Sequence, residues 1–208
     1  MRKLLAVILL GCACGAQAQK WEINFARVNT RISDAPLGTL NQKNKQDDDT
    51  RLIGNYGYGV RLTYNQRGYY GHEIGYLRTR ATFQSKLRPD TKTINLVEDR
   101  VWVQEGLYTF LMYCMPRGER WRPYIAVGAQ AHQYGAPRLE QFDRGPTRNY
   151  GVHYGLGLKL HLIPHSVIRL DFRDHIGGKP YDLDFADPMR AGGILRSMEF
   201  SAAVGFTF

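Results

Sequence analysis

Apolar and polar residues alternate along most of this chain, and the alternation has a period of two. From Asn55 to Tyr64, Tyr56, Tyr58, Val60, Leu62 and Tyr64 share one face, while Gly57, Gly59, Arg61 and Thr63 share the other. That is the signature of a strand with one oily side. The last segment repeats it, with Met198, Phe200, Ala202, Val204, Phe206 and Phe208 set against Glu199, Ser201, Ala203, Gly205 and Thr207. Six more segments read as strands: Lys20 to Ile32, Tyr69 to Phe83, Val97 to Cys114, Pro123 to Tyr134, Tyr150 to Ile163 and Ser166 to Ile176. Parity alone leaves the facing of the Val97 to Cys114 strand open.

The connections alternate in length. Gln66-Arg67-Gly68, Met115 to Arg120 and Pro164-His165 read as tight turns. Long polar stretches separate the other strands, around Asp47-Asp48-Asp49, Lys86 to Asp90, Gly135 to Asn149 and Gly177 to Leu195. Short turns alternating with long loops predict an all-β fold, an eight-stranded antiparallel up-and-down transmembrane β-barrel with both termini at the short-turn end. Strands of ten to fourteen residues match the roughly 9–11 needed to cross a bilayer at a tilt. Tyrosines at both ends of one apolar face suit two membrane interfaces, and glycines on the polar face suit a narrow interior. A soluble lipocalin-like or sandwich protein is the alternative, but it would turn the bulky apolar face inward.

The N-terminus sets the compartment. Arg2-Lys3 is a positive start, Leu4 to Leu10 a short apolar run, and Ala16-Gln17-Ala18 a cleavage motif, so residues 1–18 read as a signal peptide and 19–208 as the barrel domain. The apolar run is about half of what a spanning helix needs. Leu9-Leu10-Gly11-Cys12 offers a second reading, an acylated lipoprotein signal. Cleavage after Ala18 leaves Cys114 as the single cysteine, a small strand hydrophobe with no disulfide partner.

Arg122-Pro-Tyr-Ile-Ala-Val-Gly-Ala129, Tyr154-Gly-Leu-Gly-Leu-Lys159, Arg169-Leu-Asp-Phe-Arg-Asp174 and the terminal Phe208 together resemble the small outer-membrane β-barrel family, which includes the membrane domain of outer membrane protein A. The likeness spans the whole mature chain and implies localisation in the outer membrane of a Gram-negative cell. It also implies that the barrel-insertion machinery reads Phe206 and Phe208. No peptidoglycan-binding domain is expected after Phe208.

Folding the hairpin about Arg67 sets Arg61 opposite Glu73. Folding about Pro164 sets Lys159 opposite Arg169 and Gly157 opposite Asp171, and Arg173 is expected to face Glu199. Charges inside a barrel of eight strands must pair with one another, so Arg61, Glu73, Lys159, Arg169, Asp171, Arg173 and Glu199 are expected to form an interior polar cluster. His132, His153 and His175 fall in an inward row near the long loops and form a candidate metal set, though no carboxylate or cysteine is evidently placed to complete it. No cofactor is expected.

The net charge is +9 and falls to +7 once Arg2 and Lys3 are removed. In a secreted chain this points to anionic lipid before nucleic acid, for which no binding motif is present. Arg78, Arg80, Lys86, Arg88 and Lys92 lie where lipopolysaccharide phosphates are expected. The mean hydropathy of -0.40 does not oppose a barrel, whose strands hide their hydrophobicity in alternation. The Asp47 run lacks the spacing of a calcium loop. A lipid-modifying enzyme would need a serine, a histidine and an acid together. Ser166 and His165 point to opposite faces, and Ser201 lies inward with no histidine assigned beside it. The function expected is therefore structural or loop-mediated interaction, as a monomer without a wide pore, with outer-membrane lipids and lipopolysaccharide as partners. A narrow channel and a lipid-modifying enzyme are the alternatives.

Overall fold

The computed structural model describes residues 20–35, 37–38, 50–66, 68–90, 93–139, 142, 145–181, 183 and 193–208. Within them the strands are β1 (Trp21–Ile32), β2 (Thr50–Asn65), β3 (Tyr70–Asp90), β4 (Thr93–Tyr113), β5 (Trp121–Tyr134), β6 (Thr147–Ile163), β7 (Ser166–Gly178) and β8 (Ile194–Thr207). Each pairs antiparallel with its sequence neighbours, and β8 returns to β1, closing the barrel. Closure leaves no free sheet edge, so no row of backbone amides and carbonyls stays unpaired. No helix among the described residues is long and apolar enough to cross a membrane. The signal segment, Cys12, the Asp47 run, Arg67 and Lys92 fall outside the described residues.

The alternation read from the sequence sets the facing. Phe25, Val60, Ile74, Tyr108, Val127, Leu156, Leu170 and Val204 point out and are exposed, while Glu22, Arg61, Glu73, Thr109, Lys159, Arg169 and Glu199 point in and are fully buried. A soluble β-protein would reverse this arrangement. β4 is settled by its pairing. Tyr113, Leu111, Thr109, Leu107, Glu105, Val103 and Val101 are all buried, so its odd positions face inward. Its inner face is mostly apolar, as is its outer face, and this is why parity gave no answer.

One register and two strand lengths differ from the sequence expectation. The β2–β3 hairpin folds about Gly68, whose φ of 98° only glycine adopts readily, and not about Arg67. Arg61 therefore faces Gly75, and Thr63 faces Glu73. A shift of two residues keeps every side chain on its own face, so both Arg61 and Glu73 remain inside. In addition, β3 and β4 are 21 residues each, far longer than a crossing requires. The β7 registers hold as read: Lys159 faces Arg169, Gly157 faces Asp171 and Arg173 faces Glu199.

Candidate functional site

The interior is built in layers. At the short-turn end, Lys159 Nζ on β6 donates to Glu22 Oε2 on β1 at 2.8 Å and to the Tyr113 hydroxyl at 2.9 Å. Tyr113 in turn donates to Asn65 Oδ1 at 2.7 Å. The Arg122 guanidinium lies 3.7 Å from the centre of the Tyr113 ring.

Above this lies a charged knot. Arg61 Nη1 donates to Asp171 Oδ2 at 2.9 Å, and its Nη2 reaches Glu199. Arg169 binds Glu73 and donates through Nε to Asp171 Oδ2 at 2.8 Å. Arg173 Nη2 donates to Glu73 Oε1 at 2.8 Å and to Asp171 Oδ1 at 3.1 Å. Three guanidiniums thus meet three carboxylates. Tyr124 donates to Asp171 Oδ1 at 2.6 Å, Thr63 donates to Glu73 at 2.8 Å, and Ser201 donates to Glu199 at 2.8 Å. Every acid in the knot is hydrogen-bonded as well as paired, which is the condition for burying charge without a large net penalty. Six of the seven charged residues named from sequence, all but Lys159, lie in this knot. The partners differ: Arg61 pairs across the lumen with Asp171 and Glu199 and not with its hairpin neighbour Glu73, and Lys159 belongs to the layer below.

The histidines form the next layer, and here the sequence expectation is corrected twice. His153 faces His175 across β6–β7, but His132 faces Asn149, so the three do not form one straight row. His153 is held instead by Thr109 Oγ1, 2.9 Å from its Nε2. Glu105, on the strand whose facing was open, supplies the missing carboxylate. Its Oε2 lies 3.2 Å from His132 Nε2, and its Oε1 lies 2.9 Å from His175 Nδ1. Glu105 was legible only by counting back along β4 from the Met115 to Arg120 turn, which pairs it with His132 on β5.

An apolar cluster closes the long-loop end. Leu37, Leu52, Phe83, Val101, Val103, Tyr134, Phe142, Tyr181, Leu183 and Leu195 are packed together and buried. Phe83, Phe142 and Tyr181 meet edge to face, with centroids 5.3–5.8 Å apart. Tyr181 donates to the Gly135 carbonyl, and burial raises its hydroxyl pKa above the ordinary value, so it remains a donor.

On the outer wall, the Arg78 and Arg80 guanidiniums lie 4.3 and 4.5 Å from the Trp102 ring. Arg27 lies 5.2 Å from the Tyr56 ring, and Arg27, Tyr56, Tyr58, Arg80, Arg100 and Trp102 line one groove beside the β2 bulge at Gly54/Gly57. Of the basic residues named from sequence for this region, Arg78 and Arg80 belong to the patch, whereas Arg27 and Arg100 were missed because they come from other strands. Phe206 and Phe208 point outward and are half exposed. Cys114 lies one residue past β4 and is exposed, not a packed strand hydrophobe.

The profile of the outer membrane protein beta-barrel domain matches residues 4–208. The chain belongs to that family. It is thus an outer-membrane β-barrel, and its short turns mark the periplasmic side. No curated protein matches the sequence. Among solved structures, the fold is similar to OprG of Pseudomonas aeruginosa, at 12% identity over 92% of this chain and 96% of that one, with a TM-score of 0.65. It is also similar to Ail, the attachment invasion locus protein of Yersinia pestis, in complex with the heparin analogue sucrose octasulfate (14% identity, 92% and 99% covered, TM-score 0.55). A third is the N-terminal β-barrel domain of Pseudomonas aeruginosa OprF (13% identity, 92% and 100% covered, TM-score 0.52). At these identities the likeness is one of fold.

Proposed function

We propose that this protein is a non-conducting outer-membrane barrel that acts through its exposed end and its lipid-facing wall, in a structural or interaction role. The observation that carries this reading is the filled lumen: the charged knot of Arg61, Glu73, Arg169, Asp171, Arg173 and Glu199 lies below an apolar cap centred on Phe83. An eight-stranded barrel has an interior only wide enough for its side chains, and here they are paired to one another. Opening an ion path would separate buried charges, which is strongly unfavourable.

The outer wall supports a partner class. Arg27, Arg78, Arg80 and Arg100 gather with Tyr56, Tyr58 and Trp102 beyond the apolar band, where lipopolysaccharide phosphates lie in the outer leaflet. The similar barrel Ail is bound to a polysulfated sugar, and guanidinium groups would hold lipid phosphates by the same chemistry. In this reading the leader is removed after Ala18, the barrel is a monomer, and the outward Phe206 and Phe208 on β8 are the signal read by the insertion machinery. No catalysis is assigned: Ser201 is engaged by Glu199 and Arg61 inside the charged knot.

Reconstitution into a planar bilayer is the test. The expected record is a flat baseline with no reproducible steps. Regular ohmic steps from the wild-type protein would replace this reading with the narrow channel.

A further inference from the structure

We propose that Glu105, His132 and His175 form a binding site for a borderline divalent transition metal, of the Zn²⁺ or Co²⁺ type, inside the extracellular end of the barrel. The three come from β4, β5 and β7, all are buried, and one donor atom from each lies within 4.8 Å of the others. Bonds of 2.0–2.1 Å in a tetrahedral centre place ligand atoms about 3.3 Å apart. The observed approaches, 3.2 Å from His132 Nε2 and 2.9 Å from His175 Nδ1 to the two oxygens of Glu105, are already of that size. Two imidazoles and one carboxylate suit such a metal and leave coordination positions open. Gln130 Oε1, 2.6 Å from His175 Nδ1, stands beside them as a further oxygen.

Charge balance points the same way. Arg61, Arg169 and Arg173 match Glu73, Asp171 and Glu199, and Lys159 matches Glu22. Among the described residues Glu105 meets no arginine or lysine, only the two imidazoles. His175 Nε2 lies 3.1 Å from Glu199 Oε2. When that nitrogen carries the ring proton and donates to Glu199, Nδ1 turns a bare lone pair toward Glu105. Nδ1 faces two acceptor oxygens, Glu105 Oε1 at 2.9 Å and Gln130 Oε1 at 2.6 Å, so the place between them takes a cation, and in this proposal a metal ion stands there instead of a second ring proton. The Glu199–His175 bond then takes the form usual behind a metal-bound histidine, where a carboxylate fixes tautomer and ring orientation. His153 is outside the set because Thr109 holds it.

The test is a titration of the tag-free, chelator-stripped barrel in detergent with Co²⁺, read by its visible absorption, followed by displacement with Zn²⁺. One equivalent is expected to give a low-symmetry spectrum that Zn²⁺ abolishes. His132→Gln and Glu105→Gln should each weaken uptake at least about 10-fold, whereas His153→Gln and His165→Gln, the latter in the exposed periplasmic turn, should leave it unchanged. The isosteric Glu105→Gln serves alone if His132→Gln does not fold. No stoichiometric uptake by the wild type means that a proton on His175 fills the place of the metal, and it overturns the proposal. Uptake that survives Glu105→Gln, or that is lost in His153→Gln, overturns it as well.

Discussion

Asp171 is the residue on which the interior converges. Its two oxygens accept from Arg61, Arg169, Arg173 and Tyr124, and its side chain has no exposed surface. Asparagine would keep the shape and remove the charge, leaving three guanidiniums with Glu73 and Glu199 alone. Breaking a buried pair from one side costs about 3–5 kcal/mol, so Asp171→Asn should unfold at clearly lower temperature in a heat-modifiability gel. Asp34→Asn should not move the transition, because Asp34 is exposed and 3.9 Å from Arg51. Equal melting of the two variants would mean that the knot is not a source of stability. At this scale the sequence was informative where a two-residue turn sets the count: Arg169, Asp171 and Arg173 follow directly from Pro164-His165. Alternation did not reveal Glu105, since β4 has apolar residues on both faces and offers no contrast from which to read its facing; only counting from its turn reaches it.

At the scale of elements, closure of β5, β6 and β7 depends on glycine. Gly157 sits between Tyr124 and Asp171 in the ladder, and a Cβ there would fall within the Tyr124 ring, which its bond to Asp171 holds in place. Gly157→Ala should therefore lower the yield of folded barrel on refolding into lipid vesicles. Gly106→Ala, where an added Cβ meets nothing within 4 Å, should refold like the wild type. Matching yields for the two would show that the Tyr124 ring moves aside readily. Strand ends were the least legible part of the elements. The sequence reading ends the third strand at Phe83 and begins the fourth at Val97, whereas pairing runs on to Asp90 and from Thr93. Beyond the apolar band no lipid imposes alternation, so backbone hydrogen bonds continue through Gln84, Ser85 and Lys86 without a hydrophobic signature.

The whole molecule is a tube filled in two different ways, with ion pairs in its middle and an apolar cap at its outer end. Phe83 is wholly buried in that cap and stacks edge-on against Phe142 and Tyr181 from separate loops. Phe83→Ala should loosen the loops while leaving the charged layers below intact. Protease added outside intact cells should then cut the variant faster than the wild type, with the barrel fragment still migrating as folded before boiling. Unchanged cleavage would mean that the loops are held by something other than this cluster.

Facing in every strand but β4, strand number and the alternation of turns with loops follow from the chain itself, because each strand must satisfy lipid on one side and a polar lumen on the other, and a period of two records both. The identity of partners across the lumen does not. Arg61 and Asp171 stand 110 residues apart in sequence and meet only because β8 returns to β1 and the strands shift past one another as the sheet closes. Neighbouring strands can be paired by counting from a turn, but contacts across a closed barrel depend on the accumulated register of every strand between them. The Arg61–Asp171 pair of the charged knot and the approach of His175 to Glu105 are contacts of that second kind, whereas Glu105 and His132 are direct partners on β4 and β5, so only the folded molecule completes the knot and the cluster.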